Sequence, residues 1–222
     1  MLGRSIHRLA FAVAKSVRLI RSGSADLLAS MVLYRLWRRL RGVDFGIVQH
    51  PELGLDPTRA SYHKDGGGPQ LRRLLSRLAI TETDSALDLG SGKGGAMATL
   101  ARYPFQRVDG VELSPALVDV ARRNLAKLGL SQCRVFLGDA MTFADLDDYT
   151  VVFMFHPFGE VVFEQVLANL NGSLRRRPRR LRIVYSNPVF EGLILASGRF
   201  ETEVDYRPYD DFRISVYSSG AR

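Results

Sequence analysis

Nine consecutive residues, Leu87-Asp88-Leu89-Gly90-Ser91-Gly92-Lys93-Gly94-Gly95, constrain the fold of this 222-residue chain more than any other segment. An apolar run carrying one carboxylate ends in four glycines. This predicts a buried strand over 86–89 and a tight turn whose backbone can approach a ligand, and the turn should open a helix over 96–101. A helix start at that point would present free N–H groups and a positive dipole end. The device alone is shared with dinucleotide-binding folds, which space their glycines as Gly-x-Gly-x-x-Gly, and with any tight strand-to-helix loop. A P-loop is excluded, because no Gly-x-x-x-x-Gly-Lys-Ser/Thr sequence surrounds Lys93.

Two further acids follow at matching places. Val108 to Leu113 reads as a second strand ending near Glu112, and Val135 to Asp139 as a third ending at Asp139, so three successive strands each deliver a carboxylate to one edge. The pattern Asp88-x-Gly90-x-Gly92-x-Gly94, Glu112 and Gly138-Asp139-Ala140 resembles the class I S-adenosylmethionine-dependent methyltransferases, over roughly residues 60 to 222. That resemblance implies a doubly wound, mostly parallel, seven-stranded Rossmann-like α/β sheet with a C-terminal antiparallel hairpin. It also implies S-adenosylmethionine as cofactor, with the glycine turn facing its methionine part, Glu112 its ribose hydroxyls and Asp139 its adenine amino group. The implied cofactor set is Asp88, Gly90, Ser91, Gly92, Gly94, Glu112, Leu113, Asp139, Ala140 and His156. The residue chemistry agrees, since carboxylates only accept hydrogen bonds and so suit hydroxyls and an amine.

Tyr103-Pro104-Phe105, Gly110-Val111-Glu112-x-Ser114-Pro115 and His156-Pro157-Phe158-Gly159 extend the resemblance to a bacterial methyltransferase group without a settled substrate, with a distant likeness to Dot1-type lysine methyltransferases. Where such sequences carry Asn before the proline, this chain has His156. A neutral imidazole offers one donor and one acceptor and titrates near neutrality. Thr150 to Phe155 reads as a buried fourth strand, which places His156 and Phe158 at the ligand-binding edge. The catalytic candidates are therefore His156, Phe158, Tyr62 and Asn187, the last following a fifth strand over 181–185.

Charge is segregated along the chain. Residues 1–41 carry nine Lys/Arg against one acid, Asp26, whereas residues 42–222 balance 22 bases with 22 acids. This divides the chain into a basic amphipathic helical extension, 1–41, and a methyltransferase domain, 42–222. In the extension, Ile6, Leu9, Ala10, Val13, Val17 and Ile20 share one helical face and Arg4, Arg8, Lys15 and Arg18 the opposite one; a second helical pattern runs from Leu27 to Leu40. Such an arm can contact an anionic membrane, cap the domain, or act as a transit peptide. The longest stretch free of charged residues is Tyr149 to Gly159, eleven residues, well short of the ~18 needed to cross a bilayer. With Cys133 alone and four scattered histidines, neither a disulfide nor a metal site is expected, and the expected location is cytoplasmic.

Helices are expected over Pro69 to Ala79, Glu160 to Leu170 and Val189 to Ala196, and a hairpin over Phe200 to Tyr217 turning at Pro208-Tyr209-Asp210-Asp211. Gly66-Gly67-Gly68 reads as a hinge that would let the preceding loop close over substrate. The tract Arg175 to Arg182 holds six arginines, yet it precedes the fifth strand and so lies opposite the active edge, which argues against nucleic acid as the substrate. The expected activity is methyl transfer to a protein lysine, a small molecule or a lipid. The competing reading is a nucleotide-cofactor protein or an NAD(P)-dependent oxidoreductase.

Overall fold

The structure, a computed structural model, describes residues 25–48, 65–209 and 212–220. The expected first helix over 6–20 and the loop residues Tyr62-His63-Lys64 lie outside the described residues. The elements run α1 (Ala25–Leu40), α2 (Pro69–Leu75), β1 (Ser85–Leu89), α3 (Gly95–Leu100), β2 (Arg107–Glu112), α4 (Pro115–Lys127) and β3 (Cys133–Leu137). They continue with β4 (Val151–Phe155), α5 (Glu160–Arg176), β5 (Arg182–Ser186), α6 (Glu191–Ala196), β6 (Phe200–Tyr209) and β7 (Phe212–Ser219). The strands form one sheet in the order β3-β2-β1-β4-β5-β7-β6. The first five are parallel, and β7 joins β5 and β6 antiparallel. This is the α/β architecture expected, with seven strands and a terminal hairpin.

Period-two alternation divides the buried strand residues between two faces. Ala86, Val151, Phe153 and Val184 pack with α2, α3 and α4. Leu87, Leu89, Val152, Met154, Ile183 and Tyr185 pack with α5 and α6 on the other face. Helices on both faces bury the central strands completely, so β1 and β5 expose no residue to solvent. Helix α4 was not singled out from the sequence, although its start is marked by Ser114, whose Oγ accepts from Leu117 N, followed by Pro115 in the first turn.

Several boundaries moved for identifiable reasons. Helix α2 stops at Leu75, short of the expected Ala79. Helix α5 runs six residues past Leu170, because Ser173 and Leu174 keep the buried stripe in register. Pro208 sits inside β6 instead of in the hairpin turn, and β6 is the sheet edge, where a missing N–H costs little. The arginine tract is largely consumed by structure. Arg176 pairs with Asp147, Arg177 with Asp148, Arg182 with Glu203, and Arg179 donates to the backbone oxygens of Leu146 and Tyr149.

Asp109 on β2 is fully buried and serves the fold. It accepts two bonds from Arg134, at 3.0 and 2.9 Å, and one from the Tyr149 hydroxyl at 2.7 Å, tying β2 to β3 and to the segment before β4. Asp109→Ala should lower stability in chemical denaturation by about 2–3 kcal/mol, since the buried Tyr149 hydroxyl and the guanidinium both lose their acceptor. Arg134→Ala should cost less than about 1 kcal/mol, because that side chain is more than half exposed. Equal effects would show that the network is not anchored at Asp109.

Candidate functional site

The carboxyl ends of β1, β2, β4 and β5 and the turns that follow them form the site. After Leu89 the chain turns through Gly90, Gly92 and Gly94, with φ of 78°, 53° and 81°, values that a side chain would strain. A Cβ on Gly90 would meet Pro157 Cβ at 2.4 Å, so the turn after β1 and the His156-Pro157 segment after β4 touch. Gly110 on β2 likewise has to be bare. A Cβ there would lie 2.5 Å from Met97 Sδ and 2.7 Å from Ser91 Cβ.

Glu112 closes this cradle. One carboxylate oxygen accepts from Gly92 N at 2.8 Å and the other from Ser114 N at 2.9 Å, joining the glycine turn to the start of α4. Burial raises its carboxyl above the usual range, and the N–H donors from Ser114, Gly92 and Leu113 oppose that shift. Asp88 is 2% exposed and its Oδ2 has no hydrogen-bond partner. Burial, followed by the nearby charges of Glu112 and Asp65, lifts its carboxyl well above 3.8. Unmatched buried polar atoms are uncommon in native folds. Of the five unmatched buried side-chain atoms among the described residues, three, Asp88 Oδ2, Ser91 Oγ and Ser186 Oγ, lie at the carboxyl edge of the sheet, and Arg107 Nε and Asn171 Oδ1 lie elsewhere. Leu113 and Ala140 are half-buried there, and Asp139 accepts from Met141 N at 2.9 Å, shaping the turn after β3.

Asp65 was not foreseen. It accepts from the Tyr34 hydroxyl at 3.1 Å, from Arg38 Nη1 at 3.2 Å and from Gly67 N at 2.9 Å. Its Oδ1 would lie 2.1 Å from a Cβ placed on Gly95. The chain's own carboxylate thus lies against the start of α3, which the sequence had suggested would be open to a ligand. The glycines after Asp65, where the sequence reading placed a hinge, are close-packed. A Cβ on Gly67 would meet Gly95 O at 2.1 Å, and Gly68 N donates to Thr99 Oγ1 at 2.9 Å. An acid directly before three glycines was the available signal.

A second unforeseen group ties α1 to the glycine turn. Lys93 Nζ lies 2.6 Å from Asp44 Oδ2, and the Asn124 amide donates to the backbone oxygens of Asp44 and Lys93. The glycine-turn lysine is therefore drawn away from the carboxylates of the site.

His156 and Asn187 lie at the carboxyl edge of the sheet. They follow β4 and β5, which pair as Phe155↔Ser186, and they are the two non-glycine residues with positive φ among the described residues, at 37° and 55°. Such backbone strain concentrates at functional positions. His156 Nδ1 lies 3.4 Å from the Tyr185 hydroxyl, and its ring packs 5.5 Å from Phe190. Burial lowers its pKa below 6.5, so the neutral imidazole prevails at neutral pH. Asn187 is exposed, and its N–H donates to Arg213 O. Phe158 is a correction: it is 5% exposed and packs in the core with Val162 and Phe163, so it presents no face on which an acceptor could stack. Tyr62 lies outside the described residues. Among the described residues, no group of three or more His, Cys, Asp or Glu is placed to hold a metal ion.

Residues 86–177 match the family described as "Methyltransferase domain". The chain is 37% identical over 71 residues to a trans-aconitate 2-methyltransferase of an Enterobacter species, covering 32% of this chain and 26% of that protein. It is 40% identical over 84 residues to the release factor glutamine methyltransferase of Chlorobaculum tepidum, covering 34% and 29%. The chain thus spans under a third of the length of the curated relatives it matches. Among solved structures, an RNA methyltransferase from Salinibacter ruber in complex with S-adenosyl-L-homocysteine superposes with a TM-score of 0.51 at 22% identity, over 68% of this chain and 91% of that one. Sheet order and family match agree: residues 86–177, which match the methyltransferase domain, lie in a sheet of the fold shared with the solved methyltransferases.

Proposed function

We infer that the chain transfers a methyl group from S-adenosylmethionine to an acceptor held beside His156. One observation carries this reading. Asp65, Asp88 and Glu112 crowd one buried cleft, Asp88 Oδ2 is unmatched, and Lys93 is committed to Asp44. With Arg38 against three carboxylates and Lys93 turned to Asp44, carboxylates outnumber cations here, which favours a cationic ligand. That excess disfavours the pyrophosphate of a dinucleotide, whose like charge would be costly at low dielectric.

When bound, S-adenosylmethionine supplies a methyl group already activated on a sulfonium. The chain's residues then have to bind, orient and exclude water. Asp88 and Ser91 offer their unmatched oxygens to the amino-acid part. Glu112, fixed by its two N–H donors, keeps lone pairs for ribose hydroxyls, and Asp139 would accept from the adenine amine. Gly90, Gly92 and Gly94 let the backbone approach, with Leu113 and Ala140 as flanking apolar surface. His156 has one ring nitrogen turned to Tyr185, leaving the other to orient the acceptor or take its proton, with Asn187 alongside.

The matched relatives are named for different acceptors, so the acceptor class has to be read from the edge itself. Val161 and Val189 are 73% and 56% exposed there, and Phe190 packs on His156. That setting suits an acceptor with an apolar part, whether a lysine side chain, a small molecule or a lipid. The reading also places the chain in the reducing cytoplasm, with residues 42–222 as its catalytic domain and 1–41 as an extension.

The charge argument is tested at Asp88. Because its folded pKa is raised, the ligand-free fold is stabilised while that carboxyl stays protonated and loses this stability as the pH rises through the raised value. Asp88→Asn should therefore melt higher than wild type without ligand, by roughly 2–4 °C per kcal/mol relieved, with the gap widening as the pH rises above the ordinary carboxylate range. It should also weaken S-adenosylmethionine binding by about 1–3 kcal/mol in calorimetry, while NAD binds neither protein. A variant that keeps full cofactor affinity, or a wild type that prefers NAD, would overturn the assignment.

At His156 the expected wild-type rate climbs as the pH rises through a value below 6.5 and then levels off, since the neutral imidazole is the competent form. His156→Asn should keep cofactor affinity and lose that limb. An unchanged pH profile would leave His156 as an orienting group only.

A further inference from the structure

Helix α1 shows two different faces. Its inner face is spent on the domain. Leu27 is fully buried, Tyr34 and Trp37 pack against the core, Arg38 reaches Asp65, and Asp26 pairs with Arg73 of α2. The outer face carries Ala25, Ala29, Val32, Leu33, Leu36 and Leu40, spaced three or four residues apart so that they form one stripe along the helix. Val32, Leu33, Leu36 and Leu40 are 56%, 63%, 51% and 77% exposed. Large apolar side chains scattered singly need no explanation, but a contiguous row of four on one helix does.

Charge identifies what covers the row. Arg35 and Arg39 flank it, and neither has a carboxylate partner among the described residues, while residues 27–43 contain no acid at all. The remainder of the extension, residues 1–24, adds five Lys/Arg and no acid. That segment supplies no carboxylate for Arg35 and Arg39, and residues 27–43 of a second copy supply none either. An anionic surface with an apolar interior relieves both faults. It takes the leucines into its hydrocarbon margin and gives the guanidiniums phosphate partners. No described helix is long and apolar enough to cross a membrane, so the contact is one of lying on the surface.

We propose that the outer face of α1, through Val32, Leu33, Leu36 and Leu40 with Arg35 and Arg39, docks this chain on an anionic lipid surface. The helix runs directly into Asp44, which holds the glycine-turn lysine, and its Arg38 holds Asp65 beside Asp88, so the docked element is continuous with the cofactor cleft. The proposal is independent of the methyl-transfer chemistry.

The test is flotation of the full chain with vesicles of phosphatidylglycerol in phosphatidylcholine, against vesicles of phosphatidylcholine alone, at low salt. Wild type should float with the anionic vesicles and should not with the neutral ones. The variant L33S/L36S/L40S and the variant R35Q/R39Q, each folded by circular dichroism, should partition at least about tenfold less. Sedimentation velocity on the same proteins supplies the alternative occupants. Failure of wild type to float, or undiminished flotation of both variants with the contact carried by residues 1–24 alone, overturns the proposal. So does a wild-type dimer that the leucine variant converts to monomer without any effect on flotation.

Discussion

A single carboxylate, Glu112, holds the architecture of the cleft together. Its two oxygens take N–H donors from opposite sides, Gly92 in the turn after β1 and Ser114 at the cap of α4. Those donors sit on two different connections of the sheet, so beyond the last backbone bonds of the β1–β2 ladder, from Gly90 and Ser91 to Val111 O, one side chain joins the two turns. The glycines follow from that constraint. Gly110 has to be bare for Ser91 and Met97 to come down on β2, and Gly90 for Pro157 to reach across from β4.

The sequence showed much of this for definite physical reasons. Strands buried on both faces read as short apolar runs, and β1, β4 and β5 were all visible as such, with errors of at most one residue at their ends. Glu112 and Asp139 were placed at the correct edge because an acid ending an apolar run has few other uses. Groups whose role depends on contacts remote in sequence were invisible. Asp65 works through Tyr34 and Arg38, some thirty residues earlier, and Lys93 through Asp44. Phe158 failed as a cleft residue for the complementary reason. The turn after β4 directs its ring back into the α5 layer, and no local pattern tells that direction from the opposite one.

The acidic cleft and the basic extension are two halves of one charge arrangement. Lys93 and Arg38 are the cations nearest the cleft, and both are committed to carboxylates that also anchor α1 or the strand of chain after it. Positive charge is thereby kept off Asp88 and concentrated along the extension, while the body of the chain stays balanced.

The contact between Gly90 and Pro157 has a consequence for how such a domain can diversify. Carboxylates assigned to the cofactor lie on β1, at the end of β2 and after β3, whereas His156 and Asn187 lie after β4 and β5, and this proline is where the two halves meet. In the proposed reading, replacements at 156, 187 and 189 act on the acceptor side, across this contact from the proposed cofactor carboxylates. An inherited cofactor half can thus be carried through many changes of acceptor, provided the backbone at residue 90 stays free of a side chain.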